Sequence, residues 1–112
     1  MILTSYFGKK NLKKSDLVPV AISLIVPKSF HGLKCTALAP TFDMIKLAYE
    51  NDYGQFIEMY NEQILNWLDP VKVYQGLNGS VLLAHNTFFP FSHRFLVAQW
   101  LEKGTGNKVN EL

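Results

Sequence analysis

Apolar positions fall into short runs that alternate with helical patterns. Ile2–Phe7 is β-branched and aromatic and is closed by Gly8, so it predicts a first strand. Val18–Val26 is almost wholly apolar, which suits a central strand covered on both faces. Pro19 sits near its start, where a missing N–H is tolerated, and Pro27 ends it. Thr41–Glu50 predicts a helix, with Thr41 placed as its cap and Asp43 in its positive first turn. Met44, Ile45, Ala48 and Tyr49 form one face of it. A longer helix is predicted from Tyr53 to Leu68, because Phe56, Ile57, Tyr60, Ile64, Trp67 and Leu68 recur at three- and four-residue spacing. Asp69-Pro70 interrupts it, and Val71–Leu77 adds one more helical turn.

Asn78-Gly79-Ser80 are turn residues that lead into a third strand, Val81–His85. Ser92 to Lys103 predicts the last helix, capped by Ser92 and stopped by Gly104, with Leu96, Val97, Trp100 and Leu101 toward the core. Lys108–Leu112 reads as a short final strand. Strands alternating with helices predict an α/β domain with a mostly parallel sheet. About ten residues join the first two strands, near the lower limit for a parallel crossover, so a hairpin stays open there.

Composition narrows the class. A chain of 112 residues makes one domain, 1–112, and 48% hydrophobic against 18% charged residues excludes disorder as its main state. No apolar run reaches the roughly 20 residues of a membrane helix, and the opening MILTSYFGKK lacks the charged-then-apolar order expected of a signal peptide. Cys35 is the single cysteine, which excludes an internal disulfide and suits a reducing compartment. A cytoplasmic domain with no membrane partner is the expectation. A formal net charge of +2 makes placement, not total charge, the source of any anion affinity.

That placement is uneven. Ligands of open α/β sheets bind beyond the C-terminal ends of the strands. The segments after the three main strands run Gly8–Lys14, Pro27–Cys35 and Asn86–Arg94. They hold seven of the eleven Lys and Arg residues and none of the nine acids, and His31, His85 and His93 lie in or beside them. In a parallel sheet they meet as a cationic rim. The alternative is that a run such as Lys9–Lys14 is a solvated loop.

Arg94, the chain's one arginine, falls in the first turn of the last helix, where a cation opposes the macrodipole. Beside free helix N–H groups its fork suits an oxyanion; otherwise it pairs with a carboxylate such as Asp43 or Glu50. Ser92 is either the helix cap or a nucleophile that needs His85 or His31 as base. The three histidines lack the carboxylate or cysteine pair of a metal site, and no cofactor signature is present. Cys35 is either activated by Lys34 and Lys28 or a small apolar filler. Phe88-Phe89-Pro90-Phe91 is either a packed lid or a stacking platform.

Thr4-Ser5-Tyr6-Phe7, a second strand ending at Pro27, Leu38-Ala39-Pro40 and, above all, Val81-Leu82-Leu83 followed by Phe91–Leu101 resemble the domain-of-unknown-function 488 family, which includes YeaO-like proteins of bacteria and bacterial viruses. The resemblance covers nearly the whole chain and is most specific over Val81–Leu101. It implies a small Rossmann-like three-layer α/β domain with a short, mostly parallel sheet, and hence a crossover between the first two strands. It names a fold and a site rather than a reaction. The family pattern after the third strand is Cys-any-Glu, a loop, then Cys-His-Arg. The matching positions are Ala84, Asn86, Ser92, His93 and Arg94, so both cysteines and the glutamate are missing. An arginine usual late in the second strand is replaced by Leu24 or Ile25.

Three functions follow as expectations. The first is a module that binds a phosphate-bearing small molecule, nucleotide or nucleic acid at the C-terminal edge of the sheet. It would use Arg94, His93, Ser92, Asn86, His85, His31, Lys9 and Lys10. The second is an active or degenerate enzyme on a nucleotide or nucleic-acid base or sugar, with His93 as acid or base and Ser92 positioning or attacking. The third is a bacterial-virus protein that binds and inhibits a host protein through an aromatic patch.

Overall fold

The computed structural model describes residues 1–10, 12, 16–85 and 92–112. Its order is β1 (Leu3–Tyr6), β2 (Val18–Ala21), β3 (Leu33–Lys34), α1 (Phe42–Tyr49), α2 (Tyr53–Gln63), α3 (Pro70–Leu77), β4 (Ser80–Ala84), α4 (His93–Thr105) and β5 (Asn110–Glu111). The strands form one sheet in the order β3-β2-β4-β1-β5, and every neighbouring pair is parallel. The first two strands are therefore joined by a crossover, not a hairpin. Both pair with β4, which lies between them.

Alternation along the strands sets the two faces. Ile2, Val20, Ile22, Leu82 and Ala84 share one buried cluster with Met44, Phe56, Tyr60, Leu65, Val97 and Leu101 of the helical layer. Leu83 belongs to the opposite face, where irregular chain takes the place of helices; Phe7, Leu12, Pro27 and Phe30 surround a hollow against it. The sheet is thus covered on both sides, in a Rossmann-like α/β arrangement whose third layer is loop. All five residues of β4 are buried, as a central strand requires. Among the described residues no helix is long and apolar enough to cross a membrane.

Several boundaries differ from the pattern-based expectation. β2 stops at Ala21 rather than Val26. The Ile22 N–H still bonds the Leu83 carbonyl, but the chain then bends away, and histidine side chains take the carbonyls of Ile22 and Ile25. β3 was not anticipated; only two exposed residues form it. α2 ends at Gln63 and a 3-10 turn follows over Leu65–Trp67. Leaving the 3.6-residue period sends Leu65 into the core and leaves Trp67 81% exposed, against the expectation that Trp67 faces inward. Asp69-Pro70 does interrupt the helix. Asp69 caps α3 through the Val71 N–H, with Pro70 in the first turn.

α4 runs through Gly104, which was expected to stop it. Gly106 ends it instead, in the left-handed conformation at φ 75°. Gly104 serves close packing: an added Cβ would lie 2.3 Å from Cγ of Pro70 on α3. Alanine in a helix normally gains about 1 kcal/mol over glycine. The rigid Pro70 ring opposes that gain, and overpacking costs about 1–3 kcal/mol. Gly104→Ala is therefore expected to destabilise the protein in urea denaturation, against its helix propensity.

Candidate functional site

Topology locates the site before any side chain is considered. From β2 the chain continues outward to β3, whereas from β4 it continues the other way, through α4 to β5. The connections diverge between β2 and β4, and such a divergence opens a crevice at the C-terminal strand ends. A pocket of about 290 Å³ lies there. Its lining comes from the bend after β2 (Ser23, Leu24, Ile25), from α1 (Ile45, Ala48, Tyr49), from Phe56 of α2, from His85 after β4, and from Ser92 and His93 at the start of α4.

His93 is 8% exposed, and its ring lies 5.6 Å from that of Tyr60. Its Nε2 donates to the Ile22 carbonyl at 2.6 Å, which leaves the lone pair on Nδ1 in the neutral ring. Burial pushes its pKa down to about 4; the bond to Ile22 opposes this, and Arg94 and His85 add to it. His85 likewise donates from Nε2, to the Ile25 carbonyl. The two histidines thus pin both ends of the bend that carries Ser23. The Ser23 Oγ is buried and has no hydrogen-bond partner among the described residues.

Ser92 occupies the cap position of α4, but its side chain makes no capping bond, contrary to expectation. Thr41 does cap α1, accepting from the Met44 N–H at 3.3 Å.

Arg94 is placed differently from the expected oxyanion site. Its Nη2 lies 2.9 Å from Oε2 of Glu111, and its Nε reaches both carboxylate oxygens at 3.1 and 3.0 Å. Thr4 Oγ1 donates to the same carboxylate at 2.6 Å. The guanidinium packs over Phe95 at 4.5 Å and over Tyr6 at 5.8 Å. It is a buried clasp joining α4, β1 and β5, with its charge already compensated, and it does not line the pocket. Its partner is Glu111 rather than Asp43 or Glu50, so an acid does stand at the rim.

The remaining candidates scatter. Lys9 lies over the Tyr6 ring at 5.5 Å and does not line the pocket. Lys10, Lys28 and His31 are exposed, Lys34 is exposed within β3, and none of them lines the pocket. Cys35 packs against the core, and its N–H bonds the Ala21 carbonyl. Asn86 and Phe88–Phe91 lie outside the described residues, as do Lys13 and Lys14. His85, Ser92 and His93 are therefore the expected residues that come together. Ser23, Ile45, Ala48, Tyr49 and Phe56 join them unannounced. Ser23 had one sequence signal: it is the lone hydroxyl in the apolar run Val18–Val26.

Comparison with known protein families, with characterised proteins and with solved structures found no match.

Proposed function

We propose that this protein is a binding module for a small organic ligand, held between the C-terminal ends of β2 and β4. The pocket at the topological switch point carries this reading. It combines apolar walls with a few polar groups, the usual composition of a small-molecule site. Its volume of about 290 Å³ lies near the lower end for such sites, which suits a single ring system rather than a long chain. Of the suggested family motif, His93 lines it unchanged, and Ser92 lines it where the motif has cysteine.

Binding is favoured over catalysis on two grounds. A general acid or base works best with a pKa near the operating pH. His93, pushed to about 4, is a hydrogen-bonding group at neutral pH and a weak base. Among the described lining residues there is also no carboxylate to orient it.

A phosphate-bearing ligand is the second reading. Arg94 is engaged by Glu111, whereas the side chain of Ser92, in the pocket lining, makes no capping bond to α4, although the Phe95 N–H already bonds the Ser92 carbonyl. A nucleotide whose base enters the pocket would set its phosphate at that helix end.

Ala48→Phe tests both. Ala48 is half-buried in the α1 wall, and a phenyl ring there fills the pocket. Calorimetric titration of the wild type with nucleosides and nucleotides is expected to show binding that Ala48→Phe weakens at least about tenfold, a loss of roughly 1.4 kcal/mol. A tighter, salt-dependent affinity for the nucleotide supports the second reading. Equal affinities in the wild type and Ala48→Phe place the ligand elsewhere.

A further inference from the structure

We infer that the pocket between β2 and β4 selects a ring ligand carrying an N–H or O–H donor, which the unprotonated Nδ1 of His93 accepts. The inference rests on the pocket being a binding site, as proposed above, and adds the chemical group its ligand must carry.

The tautomer comes first. The Ile22 carbonyl can only accept, so the ring nitrogen 2.6 Å from it, Nε2, carries the proton. Burial pushes the pKa down to about 4, so the ring is neutral at physiological pH. Nδ1 is then an acceptor and cannot donate. Among the described residues the ring's one hydrogen bond is the bond to Ile22, so Nδ1 has no partner.

Access comes second. His93 lines the pocket and keeps 8% of its surface. The described side-chain polar atoms that are both fully enclosed and unpartnered are Ser5 Oγ and Ser23 Oγ. Nδ1 of His93 is unpartnered but is not one of these, so it is not sealed off as they are.

Position then makes this nitrogen selective. Leu24, Ile25 and Tyr49 are exposed and form the mouth of the pocket, whereas Phe56 and His93 are buried and form its floor. An acceptor at the mouth keeps its water whatever binds. An acceptor on the floor loses its water when a ring covers it, and a ring without a donor leaves it unpaired. Such a site rejects the analogue that lacks the donor. His85 also donates from Nε2, to Ile25, but it is only half-buried, so its second nitrogen stays hydrated and discriminates less. The His93 ring is held beforehand by Ile22 and by the Tyr60 ring at 5.6 Å, so binding need not order it.

Benzamide and acetophenone isolate the donor: they have the same ring and carbonyl, but one carries NH2 where the other carries a methyl group. Dissociation constants come from chemical-shift titration of the intact chain, as wild type and Ala48→Phe, with folding of the variant checked by its thermal melt. Long-range proton–nitrogen correlation spectra follow both ring nitrogens of His93. The free wild type is expected to show the proton on Nε2. Benzamide is expected to bind about tenfold more tightly than acetophenone. At saturation it should move the Nδ1 resonance of His93 toward that of a protonated nitrogen, with Nε2 nearly unmoved, and acetophenone should not. Benzamide binding no tighter than acetophenone, an Nδ1 resonance that benzamide leaves in place, or a free ring protonated on Nδ1 overturns the inference. Binding that is lost in Ala48→Phe would then still uphold the pocket as a site. If neither probe binds, or both bind Ala48→Phe as well as wild type, the pocket reading fails as well.

Discussion

Glu111→Ala is expected to destabilise the fold by about 3–5 kcal/mol, and by more than Arg94→Met does. The asymmetry follows from exposure. The Arg94 side chain is 6% exposed, whereas that of Glu111 is 33% exposed. Removing the carboxylate leaves a guanidinium buried between Phe95 and Tyr6 without a counter-charge, and leaves Thr4 Oγ1 without its acceptor. Removing the guanidinium leaves a carboxylate that water reaches, and methionine fills the space; the loss is expected to be about 1–2 kcal/mol. Urea denaturation of the two variants measures the difference, and the larger loss corresponds to a fall in Tm of more than roughly 10 °C for a domain of this size. Equal losses, or a negligible loss for Glu111→Ala, would show that β5 is not clasped to α4 in this way. Pocket binding is expected to survive both substitutions, because Arg94 and Glu111 are not among its lining residues.

The second large effect depends on pH. The pKa of His93 falls from an unfolded value of 6.5 to about 4 in the native state, chiefly through burial. Between those two values the unfolded chain binds the extra proton and the native state does not, so stability rises with pH across that window. The contribution is fully present above about pH 6.5 and is lost as the pH falls toward 4. Roughly 2.5 pK units correspond to about 3 kcal/mol. Carboxylates titrate in the same range, so the comparison is with His93→Gln, whose amide can still donate to the Ile22 carbonyl. Between pH 7 and pH 4.5 the wild type is expected to lose more stability than His93→Gln by a large part of that amount. Parallel pH profiles would contradict a buried neutral imidazole.

Much of the fold was legible because its signals are local. The β-branched run of β1, the Thr41 cap, the periodic apolar face of α2 and the turn at Gly79 each act within a few residues. The misses occur where tertiary contacts override them. Val18–Val26 is apolar except for Ser23, yet its second half leaves the sheet because β4 ends at Ala84 and the histidines capture the carbonyls beyond. Gly104 looks like a stop signal, but its missing Cβ leaves the room that Pro70 of α3 occupies against α4.

The site was legible in location more than in chemistry. The rule that ligands collect beyond strand ends led to His85, Ser92 and His93. The segments after the three main strands carry no acid, and so suggest a cationic rim, but the last strand contributes one. β5 is parallel to β1, so its C-terminal end brings Glu111 to the same edge, where it neutralises Arg94. Neither that pairing, across 17 residues of chain, nor the burial of Ser23 Oγ leaves a periodic trace in the sequence.

The most direct test of the account is to map where a small neutral ring perturbs the backbone amides at saturation. With benzamide as the probe, the largest shifts are predicted at Ser23, Ile25, Ala48, Phe56, Ser92 and His93, with little change at Lys9, Lys28, Lys34 and Glu111. Shifts concentrated at the lysines or along β5, with the amides between β2 and β4 unmoved, would contradict it.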